Sequence, residues 1–259
     1  SKSYKTSLVI KAYAAVERFV MRHADAVIGT GPGLVAQVNA LQCGTPAYPI
    51  SDIPSSQVEP DAEGVARARA ELIKSPDDIL ATYVGSFAVY QGIDLLFNSI
   101  PEALKACERL RFIIIGGTEN EIAQWTSWLT ARGCANQVSF IGKRQPDILP
   151  CYLAASDILL SPRIAGVNTP LKLLDYLKVS RGIVATDHEA NRLILDEHTA
   201  QLTDLTPTAF AAGVVQLATD DERRNRLASA CRRLIDEQYN FTVFREGLRA
   251  CYAEVLKNG

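Results

Sequence analysis

The sequence holds little of what builds metal and redox sites. Its three histidines, His23, His188 and His198, lie far from one another and from every cysteine, so a histidine-based metal cage has no basis. The six cysteines, Cys43, Cys107, Cys134, Cys151, Cys231 and Cys251, are scattered and contain no CxxC pair. That spacing excludes a zinc knuckle and a dithiol redox motif, and reduced, mostly buried thiols are expected. No cluster of carboxylates offers a Mg²⁺ site. No G-x-G-x-x-G follows a strand candidate, which argues against an NAD-dependent dehydrogenase. No run approaches the roughly 20 apolar residues needed to cross a bilayer, and the lysines near the start precede no signal-peptide core. Positive charge is not in excess either: 27 Lys and Arg face 29 Asp and Glu, a formal charge of -2, so nothing general draws a nucleic acid. Internal repeats and low-complexity tracts are absent. A soluble protein of the cell interior is expected. The only methionine is Met21 and the chain opens at Ser1, as a piece of a longer protein or a trimmed one would.

What is present is ordinary globular composition: 259 residues, 47% hydrophobic and 22% charged, enough for one large domain or two smaller ones. Short apolar runs of β character recur, at 26–30 (AVIGT), 82–86 (TYVGS), 111–117 (RFIIIGG), 138–142 (VSFIG), 157–161 (DILLS) and 182–187 (GIVATD). They lack polar alternation, the mark of strands covered on both faces in a parallel sheet. Between them lie helical spacings such as those starting at Ile93 and Ile122. The pattern predicts an α/β fold: a Rossmann-like, doubly wound parallel sheet with helices on both faces and ligands beyond the carboxyl ends of its strands. Pro, Ser and Asp gather without periodicity at 50–60, as in a linker. Before it there is room for a helix, the AVIGT strand, a helix from Pro32 and a strand at PAYPI, too little for a complete α/β domain. After it come about six strand candidates, and the stretch from Phe241 reads as one amphipathic helix. The expected division is 1–54, 55–240 and 241–259.

Three loops follow strands and carry unusual residues. The first, from Gly85 to Asp94, is bounded by glycines and leads into a helix whose free N–H groups would suit a phosphate, although glycine serves equally to turn the chain. In the second, Gly116 and Gly117 read as turning residues. The third, Ser161–Lys178, sets Arg163, Gly166, Asn168, Thr169, Lys172 and Asp175 between a strand and a helix. Thr169 or Asn168 is expected to cap that helix, with Pro170 in its first turn. Lys172 and Asp175, three apart, share one helical face. They suit a surface ion pair, with Arg163 merely solvated, or a nucleoside diphosphate, whose phosphates need cations and whose ribose needs an acceptor. The binding account is the one favoured. Lys143 follows another strand end and suits either the same cleft or solvent. Asp187, His188 and Glu189 lie at a strand-to-helix junction where Asp commonly caps. His23 reads as a partner of the last carbonyls of its helix.

The stretches YVGSFAVYQGIDLL, IIIGG, VSFIGKRQPDILPCYLAASDILLSPR, NTPLKLLDYLK and IVATD, in this order from about Thr82 to Tyr239, resemble the donor-binding domain of retaining glycosyltransferases of family 4, which have the GT-B fold. ADAVIGTGPGLVAQV followed by ISDIPSS resembles the end of that family's first Rossmann domain and its linker, and the last helix would then pack on the first domain. The resemblance implies a nucleotide sugar with its diphosphate near Gly85, Ser86, Gln91, Arg163 and Lys172 and its ribose near Asp175. The wider set expected to touch the donor adds Lys143, Gly166, Asn168 and Thr169. Many members carry Arg and Lys where this chain has Ser86 and Gln91, so backbone groups would do more there. The family's E-x7-E pair maps onto Val167 and Asp175, and its G-K-P-V pattern is altered at Arg181. The family keeps its acceptor site and a catalytic histidine in the first domain, so no catalytic residue is assignable in this chain and the chain alone is expected to be incomplete for catalysis. No cofactor or metal is expected beyond the donor substrate. The implied activity is hexosyl transfer to a saccharide or lipid-linked acceptor in polysaccharide biosynthesis, in the cytoplasm at the inner face of the membrane, with any membrane association made through the first domain and no nucleic acid as partner. A non-catalytic nucleotide- or protein-binding module of the same fold, or a GT-B sugar epimerase, is the alternative.

Overall fold

A computed structural model describes residues 8–56 and 58–258. The chain divides into two compact units, one taking the chain up to Ile53 together with the chain from Tyr239, the other Pro54–Gln238. The first unit contains α1 (Leu8–His23), β1 (Val27–Gly29), α2 (Pro32–Ala40) and β2 (Ala47–Pro49), with β1 and β2 paired in parallel. His23 closes α1 as the sequence leads one to expect, its Nδ1 lying 2.8 Å from the Phe19 carbonyl.

The second unit holds α3 (Ala62–Leu72), β3 (Ile79–Val84), α4 (Ile93–Ala106), β4 (Leu110–Ile115), α5 (Glu119–Thr130), β5 (Val138–Gly142), α6 (Leu149–Ala155), β6 (Ile158–Ser161), α7 (Lys172–Val179), β7 (Gly182–Thr186), α8 (Glu189–Arg192), β8 (Gln201–Thr203), α9 (Pro207–Thr219) and α10 (Asp221–Gln238). The chain ends in α11 (Phe241–Asn258), within the first unit, where its Gly247 lies 3.6 Å, measured from a built Cβ, from the Ile50 side chain.

Six parallel strands form one sheet in the order β5-β4-β3-β6-β7-β8. The chain winds outward from β3 to β5, returns to β6 beside β3, and winds outward the other way. Strand order therefore reverses between β3 and β6, the place where a crevice opens in doubly wound sheets. Period-2 alternation buries both faces. Ala81, Tyr83, Phe112 and Ile114 pack with Phe97 and Ile100 of α4 and with Phe210 and Val214 of α9. Leu80, Ile113 and Ile115 pack on the opposite side with Ala68 and Leu72 of α3 and Tyr152 of α6.

Charged groups pin the amino ends of the central strands. Asp157 accepts the Leu80 N–H at 2.8 Å and an Arg69 N–H at 3.1 Å. Asp78 accepts the N–H groups of Lys74 and Ser75 at 2.7 and 2.8 Å and Arg111 Nε at 3.0 Å. These bonds satisfy the amino-end edge internally.

Two local expectations are corrected. The helix expected to start at Ile122 starts at Glu119, because Thr118 and Glu121 form a capping box one turn earlier. Neither Asn168 nor Thr169 caps α7: its N-cap is Leu171, without a side-chain bond, and the first turn is tightened by Leu173 N–H donating to the Pro170 carbonyl at 2.8 Å. Pro170 thus precedes the helix.

Candidate functional site

Two loops meet at the reversal of strand order. The one after β3 runs from Gly85 to Gly92, and the one after β6 runs from Pro162 to Leu171. They touch through Gly92, which has φ 75° and whose Cβ, if present, would sit 1.7 Å from the Pro162 carbonyl oxygen. Only glycine fits there. Ile164 and Ala165 both donate their N–H groups to the Tyr90 carbonyl, at 3.1 and 3.3 Å, and complete the joint.

This joint gathers four of the residues expected to bind ligand: Gln91, Arg163, Gly166 and Lys172. Lys172 Nζ donates to Gln91 Oε1 at 3.2 Å and lies 4.5 Å from the centre of the Tyr83 ring. Burial pushes its pKa down to about 7, and the neighbouring Arg163 charge acts the same way. Arg163 is 7% exposed, so it is not the solvated arginine of the bland reading. Its Nε donates to the Ala165 carbonyl at 2.9 Å and its guanidinium lies 5.4 Å from the Tyr90 ring centre. A Cβ at Gly166 would come within 2.4 Å of that guanidinium, so the glycine leaves the space the arginine occupies. Among the described residues no carboxylate pairs with Arg163 or Lys172. The helices that flank the reversal, α4 and α7, begin without a side-chain cap, as α2 and α6 also do, whereas α3, α5, α8 and α9 are capped by Asp61, Thr118, His188 and Thr206. Two cations without a carboxylate partner among the described residues, beside two helix starts that no side chain caps, make a place for an anion.

Gly85, Ser86 and Lys143 border a neighbouring space, a largely apolar cavity of about 500 Å³ at the carboxyl ends of β3, β4 and β5. Phe87, Gly117, Glu121, Arg144 and Leu149 complete its wall. Tyr83, fully buried, donates its hydroxyl to the Ser86 carbonyl at 2.7 Å and so ties down the start of the first loop, and burial raises its pKa. Glu121 is held ionised by the N–H and hydroxyl of Thr118, and more weakly by Lys143.

Asp175 does not join the cations. Sharing a face with Lys172 does not bring the charged ends together, and no ion pair links them. Asp175 borders a separate depression of about 360 Å³ and accepts both the backbone N–H (2.9 Å) and the hydroxyl of Ser55. Asn168 is exposed, Thr169 is half-buried, and Val167 is 62% exposed. The Asp187–Glu189 cluster is structural: His188, not Asp187, caps α8 by accepting the Ala190 N–H at 3.1 Å, and Asp187 pairs with Arg192.

Reading the sequence missed Tyr83, Phe87, Tyr90, Glu121 and Arg144. Tyr83 lies in an apolar strand run and Phe87 and Tyr90 in the first loop, where no spacing marks any of them. Arg144 directly follows Lys143, and its position beside a predicted strand end was the available signal.

A doubly wound α/β domain whose ligand crevice lies at a reversal of strand order is the class these features define. The chain belongs to the glycosyl transferases group 1 family, which matches residues 78–220, more than half of its length. No curated protein matches. Among solved structures the chain is similar to Anabaena HepE in complex with UDP and glucose (TM-score 0.77, 14% identity, 97% of this chain and 68% of that one). It is also similar to sucrose-phosphate synthase from Thermosynechococcus elongatus (0.77, 17%, 96% and 63%). A third is WaaG, a glycosyltransferase of lipopolysaccharide biosynthesis (0.69, 17%, 94% and 67%). The chain thus spans about two thirds of these proteins and shares the GT-B fold. No helix among the described residues is long and apolar enough to cross a membrane.

Proposed function

We propose that this chain carries the donor site of a retaining glycosyltransferase, an enzyme that moves a hexosyl group from a nucleoside-diphosphate sugar to a saccharide or lipid-linked acceptor. The observation that carries the reading is the Arg163–Lys172 pair, two cations without a carboxylate partner among the described residues, beside the starts of α4 and α7, which no side chain caps. A diphosphate supplies the missing negative charge. The adjoining cavity of about 500 Å³ has the size and apolar lining that a nucleoside needs. As the bond from the anomeric carbon to the diphosphate breaks, negative charge grows on the leaving phosphate, and cations already in place stabilise it. The acceptor and any catalytic histidine belong to a part of the enzyme outside this donor unit, so the chain is expected to bind donor without transferring it. A lipid-linked acceptor would bring the enzyme to the inner membrane face.

Calorimetric titration with UDP, GDP and ADP tests the reading, UDP first because Anabaena HepE was solved with it. Saturable binding of one nucleotide is expected, and Lys172→Ala or Arg163→Ala should each weaken it about tenfold, about 1.4 kcal/mol. Unchanged affinity in both variants refutes the site, and binding of none refutes the donor reading. The hold of Ser55 on Asp175 favours a second reading, a non-catalytic nucleotide-binding module. Tighter binding of UDP-glucose than of UDP, which a module that holds only the nucleotide would not show, counts against it.

A further inference from the structure

We propose that Thr186 and Asn191 are positioning residues for Arg163, acting through a buried hydrogen-bonded network that fixes the main chain from which Arg163 reaches the crevice. The proposal rests on the reading that Arg163 meets the diphosphate. Ser161 at the end of β6, Thr186 at the end of β7 and Asn191 in α8 are each 0% exposed. Burying polar side chains costs stability unless each finds partners. Here each does. The two hydrogens of Asn191 Nδ2 are shared among the Thr186 carbonyl at 2.9 Å, Thr186 Oγ1 at 3.0 Å and the Ser161 carbonyl at 3.3 Å, while its Oδ1 accepts the Ser161 hydroxyl at 3.1 Å.

The direction of the chain matters. Because Asn191 donates into the Thr186 oxygen, the hydroxyl proton of Thr186 is left for another acceptor, and the Arg163 carbonyl is nearer to it than the Ser161 carbonyl at 3.4 Å. Two residues earlier on β7, Val184 is apolar and fully buried, so burial there does not by itself call for a hydroxyl, although Thr203, paired with Thr186 on β8, also carries one. What the hydroxyl adds is a fixed carbonyl at Arg163. With the main chain fixed there, the Ala165 carbonyl, the Tyr90 ring and the gap at Gly166 bound the side chain, and its guanidinium has one place to go.

The test is a double-mutant cycle read by calorimetry with UDP. Thr186→Val keeps the shape and removes the hydroxyl, Thr186→Ser keeps the hydroxyl, and Thr186→Ala serves as a smaller second variant if the valine does not fold. The expected result is an affinity lowered about fivefold in Thr186→Val or Thr186→Ala and restored to within about twofold in Thr186→Ser, with no added loss when the change is made in Arg163→Ala. Fold is checked by circular dichroism, so that a loss of affinity is read only on folded protein. Equal losses in the wild-type and Arg163→Ala backgrounds overturn the proposal, because the effect then does not pass through Arg163. So does unchanged affinity in the hydroxyl-free variants while Arg163→Ala weakens binding. If Arg163→Ala itself binds UDP as tightly as wild type, the diphosphate reading fails first and this inference fails with it.

Discussion

Lys172 is the residue whose chemistry is most altered by its place. An ordinary lysine keeps its charge far above neutrality, but burial against Tyr83 and Gln91, with Arg163 nearby, brings this one to about 7. Two consequences of opposite sign follow. Between about 7 and the ordinary 10.5, the unfolded chain holds a proton at Lys172 that the native chain has released. Native stability therefore gains from this group as pH rises through that window. Donor binding runs the other way, because the phosphates need the protonated form. Affinity for UDP-glucose, whose diphosphate does not titrate near neutrality, is expected to fall as pH is raised from about 6 to about 9, and Lys172→Met should flatten the profile. A calorimetric pH series on the two proteins checks this, and a profile that stays the same in Lys172→Met would assign the titration to another group. None of this was legible from sequence: Arg163 and Lys172 were, as residue types in the right loop, but the depression of a lysine pKa depends on burial that no local pattern encodes. The pairing of Asp175 with Ser55, 120 residues earlier, is invisible for the same reason.

At the scale of elements the reading was better, because strands covered on both faces write themselves as apolar runs and both faces here are covered. The runs near β3, β4, β5, β6 and β7 all form strands. The edge strand β8 escaped notice because Gln201–Thr203 is only three residues long and half-polar. The start of α7 was misplaced for a different reason: Asn168 and Thr169 are good capping residues, but capping propensity lost to the geometry of the loop, which delays the helix to Lys172. At Gly92 the meeting of two elements decides the residue. Gly92→Ala adds a Cβ 1.7 Å from the Pro162 oxygen at φ 75°, and is expected to cost about 2–4 kcal/mol in denaturant unfolding. It should also separate Tyr90 from Ile164 and so weaken UDP binding. Thr118→Ala breaks the capping box of α5 and is expected to cost about 1 kcal/mol, a smaller loss at a site where only one helix end is involved. Comparing the two midpoints measures how much of the first loop's rigidity comes from contact between elements.

Across the Pro54–Gln238 unit, charges are divided between the two edges of the sheet. The amino ends of β3 and β4 are tied by carboxylates with partners in place, Asp157 with Arg69 and Asp78 with Arg111. At the carboxyl ends Arg163 and Lys172 have no carboxylate partner among the described residues, although Arg144 there pairs with Glu71. This asymmetry separates the work of holding the fold from the work of holding a ligand, and acid should attack the two differently. Burial alone would raise the pKa of Asp78, which is 3% exposed, but the N–H groups of Lys74 and Ser75 and the Arg111 guanidinium outweigh it and hold the pKa below the usual 3.8. The stability that Asp78 contributes is thus present above 3.8 and is lost as pH falls through its lowered native value. Asp78→Asn keeps most of the shape but leaves Arg111 without its ion pair, and should lower the unfolding midpoint at neutral pH while making the remaining stability less dependent on pH in the acid range. Because Asp78 lies at the far edge of the sheet from Arg163 and Lys172, the same variant should bind UDP with wild-type affinity as long as it is folded. Denaturant unfolding from neutral to acid pH, with calorimetry on the folded variant, checks both halves. A loss of affinity in folded Asp78→Asn would mean that the two edges are coupled through the sheet and are not the independent halves that their charge patterns describe.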